Sequence, residues 1–158
     1  ISCGTGMADI QIKIEDAQLL EALEGLREAL GGSISVEVGT NVDDYAAIHQ
    51  FGGQAGRRDK RVTIPARPYL GVSDEDSTEL FAIMNDHLQR AWSGERLTGA
   101  DVARAIGRYL KTSTQLRFRA QKGPDGKAWP PSQRVLARGG QTLRLTSRLR
   151  NSITYAVR

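Results

Sequence analysis

The chain has 158 residues, 39% of them hydrophobic, which is enough to bury one core. Its apolar runs are only a few residues long, which excludes a membrane span, and no stretch has the order of a signal peptide. The single cysteine, Cys3, precedes Met7 in a leader that we interpret as a cloning remnant. We therefore expect residues 1–6 to be foreign and residues 7–158 to form a single domain, without disulfides or thiol catalysis, in a reducing cytoplasm.

The net charge of +4 is unevenly distributed along the chain. Residues 1–103 carry nine Lys/Arg and seventeen Asp/Glu, whereas residues 104–158 carry thirteen Lys/Arg and one acidic residue, Asp125. Such asymmetry points either to nucleic acid or to an acidic partner surface. The alternative that we favour is that the two parts neutralise each other, within one subunit or between neighbouring subunits.

The first part of the chain predicts two strands around a helix. Isoleucines alternate with polar residues over 10–14, which predicts a half-buried strand, and leucines at helical spacing over 16–30 predict an amphipathic helix that ends at "GGS", 31–33. Alternation returns over Ser33–Thr40 and predicts a second strand. Further along, a basic loop over Gln54–Arg61 should project from the surface.

The segment after this loop predicts an irregular stretch and then a helix. Pro65 and Pro68 exclude a regular central strand. Ser73 is a good N-cap, and the acidic "DED" that follows suits the positive end of a helix dipole. A metal site on "DED" is disfavoured because the EF-hand spacing and glycine are missing. The predicted inward face of this helix is Leu80, Phe81, Met84, Leu88 and Trp92.

A long helix is predicted from Gly99 to Ala120. Its inward positions are Val102, Ile106, Leu110 and Phe118. A helix-turn-helix is the alternative, with Ala103 and Gly107 in its turn and Arg117 and Arg119 on phosphates. Arg108 and Ser113 then stand where that motif usually has apolar residues, so we favour one continuous helix.

The last part of the chain completes an α+β prediction. "GPDG", 123–126, is a turn by its residue chemistry, and the irregular stretch after it should be anchored by Trp129. Asn151–Arg158 alternates and predicts a further strand. The fold class is α+β, with a small antiparallel or mixed sheet packed against two or three long amphipathic helices.

Candidate chemistry is sparse. His49 and His87 are the only histidines, and neither has partners at a zinc spacing. No nucleophile-elbow pattern occurs, and the glycines of "GGQAG" lack the Lys and Ser/Thr of a phosphate loop. The sequence therefore predicts no catalytic, cofactor-binding or metal-ligating residues.

Three blocks resemble the phage virion morphogenesis family, the tail completion proteins of Mu-like and P2-like phages. They are "VGTNVDDYAAIHQFGG…IPARPYLGVSDED", residues 38–76, then "GRYLKTSTQLRFRAQKGPDGKAWPPS" and "LTSRLRNSITYAV". The resemblance implies a structural virion component without catalytic residues. Such a component would act at the head-proximal end of the tail beside other tail or neck proteins, and the opposite charges of the two parts of the chain add the expectation of a homo-oligomeric ring, with a hexamer favoured. It would lie in the host cytoplasm during assembly and then in the virion.

The resemblance also implies motif residues that pack or contact partners. They are Tyr45, His49, Gln50, Phe51, Gly52, Gly53, Pro65, Arg67, Pro68, Gly71, Pro124, Asp125, Gly126 and Trp129. In "YAAIHQFGG" we expect Tyr45, Ile48 and Phe51 to pack and the histidine and glutamine to hydrogen-bond. The two glycines should free the loop that follows.

The order of the blocks departs from the family. There, "PDGKAW" and "LTSRLRNSI" precede "YAAIHQFGG"; here they follow it, with flexible junctions near 31–33 and 93–96, through a rearranged gene or a reconnected chain. In the family order Asn151–Arg158 would run almost directly into Ser33–Thr40, as in a hairpin. We therefore predict that these strands pair antiparallel, within one chain or between two.

Two functions of different classes remain open. The first is a ring-forming assembly protein. The second is a DNA-binding module that uses the basic residues 104–158. A defined oligomer with negligible DNA affinity favours the first, and a steep salt dependence of DNA affinity favours the second.

Overall fold

The computed structural model describes residues 35–41 and 43–158. The strand predicted over 10–14, the helix over 16–30 and the junction at 31–33 lie outside the described residues. The described elements, in chain order, are β1 (Val36–Thr40), α1 (Asp43–Phe51), β2 (Gly53–Ala55), β3 (Val62–Ile64), α2 (Asp74–Trp92), α3 (Gly99–Ala120), α4 (Gln133–Arg138), α5 (Arg148–Asn151) and β4 (Ile153–Val157). Helices and small antiparallel sheets thus confirm the α+β class.

The two strands that lie farthest apart in this part of the chain pair with each other. β1 and β4 form a two-stranded sheet, as predicted from the order of the blocks in the family. Just beyond the strands, Ser35 and Arg158 exchange both backbone hydrogen bonds, at 2.9 and 3.0 Å, which is the signature of an antiparallel pair. At the other end the Thr40 and Ser152 hydroxyls are in hydrogen-bond contact. The pairing occurs within one chain.

The predicted loop over Gln54–Arg61 is the end of β2 and the turn of a β-hairpin. β2 and β3 pair antiparallel with Gly53 opposite Ile64 and the half-buried Ala55 opposite Val62, and residues 56–61 between the strands are exposed. The apolar run "VTI" is therefore a strand, and its Val62 is 56% exposed. The tip carries Arg57, Arg58 and Lys60.

The described residues divide into two compact units. The first contains 39–41, 43–71 and 114–154, and its buried core includes Tyr69, Phe118 and Trp129. The second contains 35–38, 72–113 and 155–158, and its core includes Leu80, Met84 and Leu110. Among the described residues, no helix is long and apolar enough to cross a bilayer.

The start of α2 confirms the predicted cap and gives the acidic residues their place. The Ser73 hydroxyl accepts from the Asp76 backbone N–H, and the Asp76 carboxylate accepts from the Ser73 N–H, a capping box. Asp76 is buried and also accepts hydrogen bonds from the Tyr109 and Ser113 hydroxyls. The packing prediction for this helix is wrong at its end, where Leu88 is 37% and Trp92 92% exposed.

α3 is one uninterrupted helix with the predicted bounds, which overturns the helix-turn-helix alternative. Its 22 residues bury Val102, Leu110 and Phe118, while the predicted inward Ile106 is half-buried. The stretch after "GPDG" is less irregular than expected, because the short helices α4 and α5 form there. α4 begins at the Ser132 hydroxyl, which accepts from the Val135 N–H.

Gly107 of α3 lies directly against the Tyr155 ring of β4. A Cβ at position 107 would lie 2.2 Å from Cδ2 of that ring. We expect Gly107→Ala to lower the free energy of unfolding by about 1–3 kcal/mol, because overpacking outweighs the better helix propensity of alanine. Urea denaturation measures this. When the ring is already removed by Tyr155→Ala, adding Gly107→Ala should lower the free energy of unfolding much less than it does in the wild type. An equal loss in the two backgrounds would contradict the contact.

Candidate functional site

Gln50 holds the proline-rich segment against α1. Its side-chain oxygen accepts from the backbone N–H groups of Tyr69 and Leu70, both at 3.0 Å, and its amide nitrogen donates to the Leu70 carbonyl at 3.0 Å. The prolines keep this segment out of a sheet, so its polar backbone needs other partners. A single buried amide supplies three of them.

Two buried arginines hold other backbone carbonyls of the same unit. Arg67 is 3% exposed and donates from Nε to the Pro130 carbonyl at 2.7 Å and from Nη2 to the Pro131 carbonyl at 3.4 Å. Arg117 of α3 donates from Nη1 to the carbonyls of Tyr69, at 3.0 Å, and Gly71, at 2.8 Å. Arg117, which the helix-turn-helix interpretation assigned to phosphate, is thus directed inward and only 8% exposed.

An aromatic cluster fills the space between these bridges. The Phe118 ring lies 5.5 Å from the Tyr69 ring and 5.3 Å from the Trp129 ring, centroid to centroid. Trp129 donates its indole N–H to the Pro68 carbonyl at 2.8 Å, and it is the anchor predicted for the stretch after the turn. Tyr69 belongs to the first motif block and Phe118 and Trp129 belong to the second, so the cluster is where these two blocks meet.

The buried Tyr69 predicts a loss of stability in alkali. Its hydroxyl donates to the Ala46 carbonyl, and burial, with a smaller contribution from Tyr45, raises the pKa of Tyr69 to about 12. Because the pKa is raised in the folded state, the contribution of Tyr69 to the free energy of unfolding is fully present below the tyrosine pKa of the unfolded chain, about 10. It is lost as the pH rises toward 12. We expect the urea midpoint to drop across this window, and Tyr69→Phe to flatten the drop. An equally steep drop in that variant would contradict the assignment.

The glycines and the turn residues of the motifs fit their positions closely. Gly52 has φ +75°, and a Cβ there would lie 2.9 Å from the Ala66 nitrogen, so it serves close backbone approach rather than a freely moving loop. Gly71 faces the Pro124 ring, which lies 2.7 Å from a Cβ placed at 71. In the turn, the Asp125 carboxylate accepts from the Lys127 N–H, and Gly126 donates to the Gly123 carbonyl.

Three motif residues of "YAAIHQFGG" and its surroundings do not take the predicted positions. Phe51 is 67% exposed, so the packing prediction is wrong there. Gly53 lies within β2 rather than in a loop, whereas Pro65, exposed just after β3, lies outside a strand as predicted. The prediction that His49 forms hydrogen bonds is wrong for its Nδ1 atom, which is buried and has no partner among the described residues.

His49, Tyr45 and Arg67 instead line one wall of a groove of about 310 Å³, which we call the cationic groove. Its other walls include Arg134, Arg148 and the leucines 143, 145 and 149. Burial, and then the nearby Arg67 charge, lower the pKa of His49, so its imidazole is neutral at neutral pH. Among the described side chains, none that lines the groove is a carboxylate.

The cationic groove and one of its supports were missed in the sequence. Gln121 accepts from the Thr142 N–H at 2.7 Å and donates to the Thr142 carbonyl at 3.0 Å, which holds the segment that carries Leu143 and Leu145. The signal that was available is the clustering of arginines and leucines in "TLRLTSRLR", which has no period of its own. The same amide chemistry as in Gln50 is used twice.

The groove is suited to recognition of an anion beside apolar groups. Three guanidinium groups and an imidazole supply donors, and leucines supply contact area. Among the described residues, no group of three or more His, Cys, Asp or Glu side chains could hold a metal ion. His87, the second histidine, has its Nδ1 2.7 Å from the Ile83 carbonyl of its own helix.

The fold and this groove define an α+β protein whose buried motif residues bind backbone groups and contact one another. The profile of the phage virion morphogenesis family matches residues 11–89 and 93–158, and the chain belongs to that family. The interruption at 90–92 directly precedes the predicted junction at 93–96. The chain is also similar to the Mu-like prophage FluMu G protein 2 of Haemophilus influenzae, 50% identical over 52 residues.

That alignment covers 33% of this chain and 36% of the relative. No solved structure matches. Family membership gives the chain a part in phage virion assembly, which is the coarse function that the resemblance implied.

Proposed function

We propose that the protein is a structural, non-catalytic component that completes the phage tail at its head-proximal end by forming a ring of identical subunits. The observation that carries the proposal is the family match over most of the chain. A hexamer is the expected ring, and tail or neck proteins are the expected neighbours. The expected locations are the host cytoplasm during assembly and then the virion.

Surface chemistry supports a function in protein–protein contact. Leu145 is 73% exposed and lies on the rim of the cationic groove. Aromatic and leucine side chains on a surface are typical of contact sites when they lie together with arginines. Buried bridges at Gln50, Arg67 and Arg117 keep the groove walls in place, and a rigid site loses less entropy on binding.

DNA binding by residues 104–158 is the second candidate, and the structure weakens it. The segment that was to read DNA is a continuous helix, and Arg117 binds carbonyl groups of its own chain. Arg119 is exposed, as are Arg57 and Arg58 in the hairpin loop, so nonspecific contact with phosphate is the form that this function would take.

Two measurements test the proposal. Deletion of the gene from an inducible prophage should leave separate heads and tails, and expression in trans should restore joined particles. Sedimentation velocity of the purified protein at low salt should show one closed oligomer. Normal joined particles without the gene contradict tail completion, and a monomer at high concentration contradicts ring formation. A steep salt dependence of duplex DNA affinity would favour the second candidate.

A further inference from the structure

The cationic groove lacks anionic partners within the described residues. Arg67 and Arg134 donate only to carbonyl groups, the first to Pro130 and Pro131 and the second to Gly139 and Gln141. Arg148 forms no ion pair and no side-chain hydrogen bond with any described residue. Guanidinium groups gathered in a concavity strengthen each other's preference for a bound anion.

Unpaired carboxylates are gathered elsewhere on the same chain. Asp86, Glu95 and Asp101 are each in ion pairs with neighbouring arginines. Asp74, Glu75 and Glu79, which we call the acidic end of α2, are exposed and form no ion pair with a described residue. Outside the basic hairpin loop, these three are the only exposed carboxylates without an ion pair among the described side chains. Positions 75 and 79 share one face of the helix.

We propose that the cationic groove binds the acidic end of α2 from a second copy of this chain. The proposal rests on the ring-forming function and names its contact. Two different surfaces that meet make a head-to-tail interface, which closes into a ring when the rotation between copies allows. The segregated charges of the sequence, negative before residue 104 and positive after it, then neutralise each other between neighbours. The contact would steer association and weaken with salt.

The small volume and the leucine walls of the groove favour a protein side chain over a nucleic acid. A volume of about 310 Å³ accommodates one or two side chains, and the leucine walls offer nothing to a hydrated phosphate backbone. An incoming glutamate would place its carboxylate near Arg134 and Arg148 and its methylene groups on the leucines. It would also raise the lowered pKa of His49, because a nearby negative charge favours the imidazolium.

Charge reversal on each surface provides the test. The groove variant is Leu145→Glu/Arg148→Glu, and the acidic-end variant is Glu75→Lys/Glu79→Lys; all four side chains are exposed, so folding should be preserved. The matched control, Leu136→Glu/Arg138→Glu, makes the same substitutions at exposed positions outside the groove. We expect wild type and control to sediment as closed oligomers and each reversal variant to sediment as a monomer.

The decisive sample is an equimolar mixture of the two reversal variants. In the mixture, the native groove of one variant meets the native acidic end of the other, and the two reversed surfaces also carry opposite charges, so we expect the mixture to sediment as a heterodimer or a larger oligomer. A mixture that stays monomeric, or variants that assemble alone, overturns the proposal while an oligomeric wild type preserves the ring-forming function. A monomeric wild type overturns both. Duplex DNA affinity lost only in the groove variant would reassign the groove to phosphate.

Discussion

Gln50→Ala should lower the free energy of unfolding by about 3 kcal/mol, measured from the midpoint and slope of a urea titration. The substitution removes one acceptor and one donor that together satisfy the Tyr69 N–H, the Leu70 N–H and the Leu70 carbonyl. Gln50 is 9% exposed, so water cannot readily replace the amide. An unsatisfied buried polar group costs about 1–3 kcal/mol, and the alanine variant leaves three.

Two further variants test whether the stability loss comes from the hydrogen bonds of Gln50 or would follow any substitution of a glutamine in this region. Gln54→Ala removes an amide from the exposed hairpin, where its oxygen accepts from Arg61, and should change stability by no more than about 0.5 kcal/mol. Gln50→Glu keeps an acceptor for the two N–H groups but places a carboxylate oxygen against the Leu70 carbonyl, so an intermediate loss is expected. A Gln50→Ala variant as stable as Gln54→Ala would show that the segment is held by other contacts.

The elements that could be predicted from the sequence are those with a local signal. α3 was predicted with its observed bounds because its apolar positions follow one helical period for six turns. Ser73 was predicted as an N-cap because serine before an acidic turn is a local pattern. The pairing of β1 with β4 was predicted from the family order, since their alternation alone leaves the partner open.

The features that were not predicted depend on residues distant in the chain. Whether Phe51 packs depends on what its helix face meets, and nothing within "YAAIHQFGG" encodes its exposure. Arg117 could be assigned to phosphate or to carbonyls until the proline-rich segment was placed beside it. The cationic groove is assembled from α1, Arg67 of the proline-rich segment, the start of α4 and the arginine-rich segment before β4, so no window of the sequence contains it.

Phe118→Ala should cost more than any other single truncation considered, about 3–5 kcal/mol in the free energy of unfolding. Its ring is fully buried between Tyr69 and Trp129, and the cavity would open where the motif blocks meet. Leu116→Ala, two residues earlier on α3 at a position 51% exposed, is the control and should cost no more than about 1 kcal/mol. Equal losses for the two variants would contradict a core at this end of the helix.

The same substitution tests whether the cluster supports the cationic groove. The chain has two tryptophans, so in a Trp92→Phe background all tryptophan fluorescence comes from Trp129. Removal of the neighbouring ring should shift that emission to longer wavelength before unfolding begins, because water reaches the indole.

Trp129 binds the Pro68 carbonyl, next to Arg67 in the groove wall, so a loosened indole should also loosen the groove. Phe118→Leu, which retains most of the volume, should keep both the emission and the closed oligomer, whereas Phe118→Ala should lose the oligomer at temperatures where it is still folded.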